Sequence, residues 1–438
     1  MTDFWMKLPF LLQGELEQLE QEGCDVSAFK AELAGLPENT PQETYLALYD
    51  RLSPLHPAAT FPYVEPSDLE GIRRARAQNT VANAPRLAEE TLKDHIFGAW
   101  LGRCAGCTLG KPVEGFTQAQ VETYLKAARA YPLIDYIPML DPVPEGIQLH
   151  PSFVDTVRGR IHYMSRDDDT DYTILGLHVL EKYGPNFTSE DVGEAWQNML
   201  PYDMVFTAER IAYRNLVNEL PVPQTAFYHN PFREWIGAQI RADGFAYAAA
   251  GHPRLAAEMA FRDAAISHVK NGIYGEMMAA AMIAKAFTTQ DVNQIIQAGL
   301  DEIPQKSRLA EAMRQVLAWK EEYPTWNAAF ARVSQAYSRY FWVHTINNAA
   351  VVLIALLYGE GDLAKSIAIS VMAGWDTDCN GATVGSILGA MLGAKALPLA
   401  WVGPFNDSIH SAVFGFDGAK ISELAERSWK TYGAVTGE

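Results

Sequence analysis

Apolar residues recur along most of this chain at steps of three and four, the spacing of one helix face. The stretches 11–33 and 41–52 show mixed steps of this kind, punctuated by Pro37, Pro41, Pro54 and Pro57. Ile174, Leu177 and Leu180 continue the pattern, and Gly184 supplies a C-terminal stop. From 186 to 340 the pattern is mostly helical, interrupted by loops around Tyr228-His229-Asn230-Pro231-Phe232 and Ser267-His268-Val269-Lys270-Asn271-Gly272. The segment 344–358 is apolar enough to require burial, and 421–431 reads as a closing helix. Strand signals are few, so the expected fold is mainly α.

Two helical stretches carry an unusual load of glycine. A helix expected over about 89–109 has Gly98, Gly102, Gly106 and then Gly110 at its end. Gly381, Gly385, Gly389 and Gly393 repeat that four-residue spacing near the other end of the chain. Each interior glycine costs a helix up to about 1 kcal/mol relative to alanine. Close approach of another helix along the glycine side would offset the cost. The two glycine helices are therefore expected near each other in the core.

Acidic residues cluster beside both. Ser165-Arg166-Asp167-Asp168-Asp169-Thr170-Asp171 places four aspartates within five residues, at the start of a helix. Backbone N–H groups and the helix dipole favour anions there. An over-endowed N-cap would explain this cluster taken alone. Gly374-Trp375-Asp376-Thr377-Asp378-Cys379 adds two more carboxylates before the second glycine helix. Together the clusters point to hard cations, which take carboxylate oxygens, and to two metals sharing bridging carboxylates. An EF-hand is excluded, because counting from Asp167 puts Tyr172 at the required glycine and His178 at the required glutamate.

Composition narrows the partners. The chain has 438 residues, enough for one large domain or two or three smaller ones. Its 35 basic and 53 acidic residues leave a net charge of −18, which argues against a nucleic-acid or anionic-membrane partner. The four cysteines form no disulfide framework, and Cys104-Ala105-Gly106-Cys107 reads as small residues in a packed helix. No signal peptide is evident, and the longest apolar run, 349–358, is too short to span a membrane. A soluble, cytoplasmic protein is expected. The proline-rich stretch 131–165 is expected to form a loop walling or closing the site.

The order of these motifs resembles the ADP-ribosylglycohydrolase family, which includes the dinitrogenase-reductase-activating glycohydrolases. Gly98-x-x-x-Gly102 through Pro112-Val113-Glu114 is similar to the family's first helix with its terminal Pro-x-Glu. Asp167-Asp168-Asp169-Thr170 stands where the family has Thr-Asp-Asp-Thr, and Gly374-Trp375-Asp376-Thr377-Asp378 where it has Gly-Gly-Asp-x-Asp. The resemblance covers about 89–438. It implies an all-α orthogonal helical bundle, with residues 1–88 as a helical N-terminal extension. It also implies two divalent cations, Mg²⁺ or Mn²⁺, with Ca²⁺ admitted by the same oxygen donors. The implied reaction is hydrolysis of an N- or O-glycosidic bond to the ribose of an ADP-ribosyl or related ribosyl compound, with water activated at the two-metal site.

By position, the resemblance makes Asp168, Asp169, Asp376 and Asp378 metal ligands. Asp167 and Cys379 take the places of the family's threonine and its last Thr/Ser ligand. Glu114, Asp376 and Asp378 are the candidates for taking the water's proton or stabilising an oxocarbenium-like transition state. Gly110, Lys111, Tyr172, Trp375 and His268 are the expected substrate contacts. Two further departures are Cys107, where an acidic residue is usual, and Trp375, where the family has a second glycine. A bulky ring beside a ligand favours a small ribosyl substrate over a modified protein. Two other readings fit parts of the pattern. One is a family member that binds metal and ADP-ribose without turnover. The other is an α-helical prenyl-diphosphate enzyme, through the Asp-Asp-x-x-Asp formed by Asp167, Asp168 and Asp171.

Overall fold

The computed structural model describes residues 6–78 and 87–437. Helices account for 62% of the chain and no strand forms among the described residues, so the class is all-α, as expected. The expected boundary near residue 88 adjoins residues 79–86, which lie outside the described residues.

The two glycine helices, Glu89–Gly110 and Thr377–Leu392, pack against each other along their length. They run antiparallel, pairing Gly98 with Gly389, Gly102 with Gly385 and Gly106 with Gly381. A methyl group at any of these six positions would collide with the backbone of the facing helix. This contact offsets the propensity cost of the glycines, and it explains their spacing. Both helices are buried on nearly every side. Lys270–Ala286, Thr345–Tyr358 and Leu363–Met372 surround the second, while Ile421–Thr436 packs on the first.

The aspartate helix spans Asp168–Tyr183. Asp167 is its N-cap and accepts from the Asp169 N–H at 3.0 Å, while Gly184, at φ +74°, ends it. The stretch 131–165 is a loop with one short 3₁₀ turn, Val154–Thr156. Its path is fixed by backbone bonds from His150 to the Pro112 carbonyl and from Met164 to the Ser408 carbonyl.

The stretch 11–33 is helical in two pieces. It divides into Leu8–Gln21 and Ser27–Ala34, with Gly23 in the left-handed region at φ +87° between them. The first of these helices docks through buried charges. Arg233 pairs with Glu15 at 2.8 Å and Glu22 at 3.0 Å, and Gln18 donates to Glu234 at 2.8 Å. Leu11, Leu12, Leu16 and Tyr49 form a small core with Ile211 and Phe232. No helix among the described residues is long and apolar enough to cross a membrane.

Candidate functional site

The glycine contact determines what lies at its end. Gly110 closes the first glycine helix against the backbone of Thr377, whose hydroxyl donates to the Gly110 carbonyl at 2.8 Å. Just beyond, the Gly115 N–H donates to the Trp375 carbonyl at 2.9 Å, and the Trp375 N–H to the Phe116 carbonyl at 2.6 Å. The turn carrying Lys111 and Glu114 is thus stitched to the segment that carries Asp376 and opens the helix bearing Asp378. The N-terminus of the aspartate helix completes the arrangement. Three segments far apart in sequence bring their acidic residues together.

Ligand-type atoms of Glu114, Asp376 and Asp378 lie within 4.8 Å of one another. So do those of Asp169, Asp378 and Cys379, and those of Cys107, Asp167 and Asp169. The Cys379 thiol donates to Asp169 Oδ2 at 3.3 Å, and its N–H to Asp378 Oδ1 at 3.0 Å. The Asp376 N–H donates to Asn348 Oδ1 at 3.4 Å, and that oxygen also accepts from Asn380 at 2.8 Å.

Positive charge is scarce here. The Lys111 ammonium lies 2.8 Å from Asp167 and 2.9 Å from both Glu114 and Asp378. Arg103, fully buried, divides itself between Asp169 at 3.3 Å and Asp243 at 2.7 Å. Among the described residues, no cationic side chain forms an ion pair with Asp168 or Asp376.

The carboxyls register the imbalance. Burial, then the charge of Asp167, pushes Asp168 up to about 7. Burial, then Asp378, pushes Glu114 up to about 8 despite its contact with Lys111. Asp169 and Asp376 are raised well above the usual range, again chiefly by burial. Asp378 goes the other way. Burial opposes its charge most strongly, but Lys111 and a hydrogen bond with Asp376 together outweigh burial and hold it down at about 2. A divalent cation fits such a site, because it would neutralise crowded carboxylates that the protein's own cations leave uncompensated.

The other expected contacts fall in several places. Gly110 and Lys111 belong to the site, with Lys111 pointing at carboxylates. The Trp375 ring rests on Phe330, with centroids 5.0 Å apart. Tyr172 and His268 take no part in the carboxylate group. The Tyr172 ring lies 5.8 Å from that of Trp196 and faces the guanidinium of Arg241. His268 is buried, bonded to Ser267 at 2.8 Å, and held neutral by burial and the charge of Arg241.

Several residues near the carboxylates were not among the expected ligands and contacts. Cys107 offers a buried thiol beside Asp167 and Asp169. His150, from the proline-rich loop, brings Nε2 to 3.6 Å from Glu114. Arg103 and Asn348 had a visible signal, since each is a polar residue inside an otherwise buried helix.

Fold and site together define an all-α protein with a carboxylate-rich, cation-competent cluster at the end of a glycine-packed helix pair. The ADP-ribosylglycohydrolase family profile matches residues 88–436, and the chain belongs to that family of hydrolases. A solved structure described as an "ADP-ribosylglycohydrolase-related protein complex" is similar in fold. It has a TM-score of 0.51 and 18% identity, covering 79% of this chain and 99% of that one. No match was found among curated protein sequences.

Proposed function

We propose that this hydrolase cleaves the glycosidic bond between the ribose of an ADP-ribosyl or related ribosyl compound and a small leaving group. Asp168, Asp169, Asp376 and Asp378 would hold the divalent cation that the reaction needs. The observation that carries the reading is the meeting of Asp169, Asp378 and Cys379 within 4.8 Å, from the first turns of two helices about 200 residues apart. When bound, a divalent cation supplies electrostatic stabilisation, anchoring of the ribose hydroxyls and activation of water.

The chain's own residues supply orientation and proton movement. Glu114 is half-buried beside Asp376 and Asp378, and its raised value near 8 lets it carry a proton at neutral pH. It is the residue assigned to proton exchange with the leaving group or the water. Asp378, kept ionised by Lys111, serves as ligand and electrostatic partner. Asn348 orients Asp376 through its backbone N–H. His150 brings the 131–165 loop against Glu114, a wall that favours a free glycoside over a side chain on a folded partner.

The prenyl-diphosphate reading loses its third aspartate. Asp171 turns away to Arg166 Nε at 2.7 Å, the Ser411 hydroxyl at 2.7 Å and the Ala412 N–H at 2.9 Å. The test is incubation of Mn²⁺- or Mg²⁺-replete protein with ribosyl and ADP-ribosyl glycosides and with ADP-ribosylated proteins. Mass spectrometry should detect release from small glycosides, abolished by chelation. Binding of ADP-ribose with no turnover of any glycoside would support the binding-only reading instead.

A further inference from the structure

Lys111 has an unusual position for a lysine. Its side chain is only 11% exposed, and its ammonium sits between carboxylates from all three segments of the site. It has three N–H donors, and three acidic groups, Glu114, Asp167 and Asp378, meet it at 2.8–2.9 Å. We propose that the site holds one divalent cation rather than two, because the Lys111 ammonium takes the place of the second and supplies part of its charge. This inference rests on the metal-dependent reading above.

The argument is one of occupancy. A Mg²⁺ ion binds oxygens at about 2.0–2.1 Å, and paired ions in two-metal sites stand about 3.5–4 Å apart with shared ligands. With one ion held by Asp169, Asp378 and Cys379, the remaining groups, Glu114 with Asp376 and Asp378 and Cys107 with Asp167 and Asp169, each draw on a carboxylate that already contacts the ammonium. Two cations cannot share that space, so Lys111 would have to leave.

Its backbone is held in place, so only a swing of the side chain away from Asp167 and Asp378 could vacate the position. Gly110 is pressed against Thr377 and bonded to its hydroxyl, and Gly115 is bonded to the Trp375 carbonyl. Lys111 lies between these two ties, in the 3₁₀ turn Lys111–Val113. Asp167, 2% exposed, would also lose its ammonium partner.

A first place for a cation remains where ligand atoms of Asp169, Asp378 and Cys379 lie within 4.8 Å of one another. Asp376 is 4% exposed with no cationic partner among the described residues, and Asp168 has none either. Asp169 has only the shared Arg103. These side chains ask for a cation that Lys111 does not provide.

The experiment is metal counting on the full chain. Protein stripped with a chelator is titrated with MnCl₂, followed by calorimetry and by Mn²⁺ electron paramagnetic resonance. One Mn²⁺ per chain with an isolated six-line signal is expected. Lys111→Met should raise the count to two and broaden the signal through Mn–Mn coupling, and Lys111→Arg should keep it at one. Two ions per chain in the parent overturns the inference while leaving the metal-dependent reading intact. One ion in both the parent and a folded Lys111→Met also overturns it, because Lys111 would not be what closes the second place. No bound ion at all overturns both. Should Lys111→Met fail to fold by circular dichroism, the parent's count and spectrum decide.

Discussion

Gly106 and Gly381 meet backbone to backbone, so that a side chain on either would run into the other's carbonyl. They are the pair of facing glycines nearest the site. One turn further, Gly110 meets Thr377, between Asp376 and Asp378. The packing of the core and the spacing of the acidic loops are therefore one geometry.

Gly106→Ala should destabilise the protein although alanine is the better helix former by about 1 kcal/mol. Overpacking of a tight core costs typically about 1–3 kcal/mol, and here the obstacle is backbone, which cannot rotate aside. A fall in melting temperature is expected, with activity reduced further than stability explains because the two acidic loops are spread. An unchanged melting temperature would show that the helices separate without penalty.

Asp168→Asn should have opposite effects with and without metal. In metal-free protein it removes a carboxyl whose ionisation burial and Asp167 oppose, so the melting temperature should hold or rise. Added Mn²⁺ should stabilise the parent, since ligands that bind only the folded state do so by mass action, but stabilise the variant far less. Turnover should fall at least about 100-fold, since even outer-shell changes at metal sites cost about 10–100-fold. Thermal melts with and without Mn²⁺, alongside glycoside turnover, check all three.

The docked N-terminal helix should impose a pH dependence through Glu234. Burial would raise this carboxyl, but Arg308, His344 and Lys270 outweigh burial and hold it far below the usual range. Asn271 and Gln18 bond to it as well. A group depressed in the folded state contributes stability that is present above its unfolded value, about 4.3, and lost as pH falls through its folded one. Breaking such a buried pair costs about 3–5 kcal/mol. Glu234→Gln should therefore melt well below the parent at pH 7, and the gap should narrow below about pH 4.3. A gap that stays constant from pH 7 to pH 3 would remove ionisation from the explanation.

Much of this was legible before the structure. The glycine spacing was informative because glycine is penalised in helices, so its repetition needed a neighbour. Gly184 as a stop and the start of the aspartate helix at Asp168 follow from local chemistry. The destination of long side chains does not. Lys111 could be placed near the site by sequence, but its three partners come from segments that only tertiary packing unites. Tyr172 stands one helical turn after Asp168, yet its ring is drawn to Trp196 and Arg241. Cys107 looked like a small packing residue, and it is one, but the same burial places its thiol beside Asp167 and Asp169. The break at Gly23 depends on a left-handed backbone that periodicity does not reveal.

Trp375 offers the last test, because its backbone and its ring pull in opposite directions. It sits at φ +68°, where an L side chain crowds the following carbonyl at a cost of roughly 1–2 kcal/mol. Its ring recovers part of that by packing on Phe330. Its N–H and carbonyl are both bonded to the 115–116 turn, which keeps the strained conformation in place. Trp375→Gly removes the strain and the ring together, so the change in stability should be small. Trp375→Ala removes the ring and keeps the strain, so it should be the less stable of the two by about 1 kcal/mol, the reverse of the usual order of alanine and glycine. Paired melting curves decide it. If Trp375→Ala proves equal to or better than Trp375→Gly, the left-handed backbone is not under strain, and the ring's packing alone accounts for the residue.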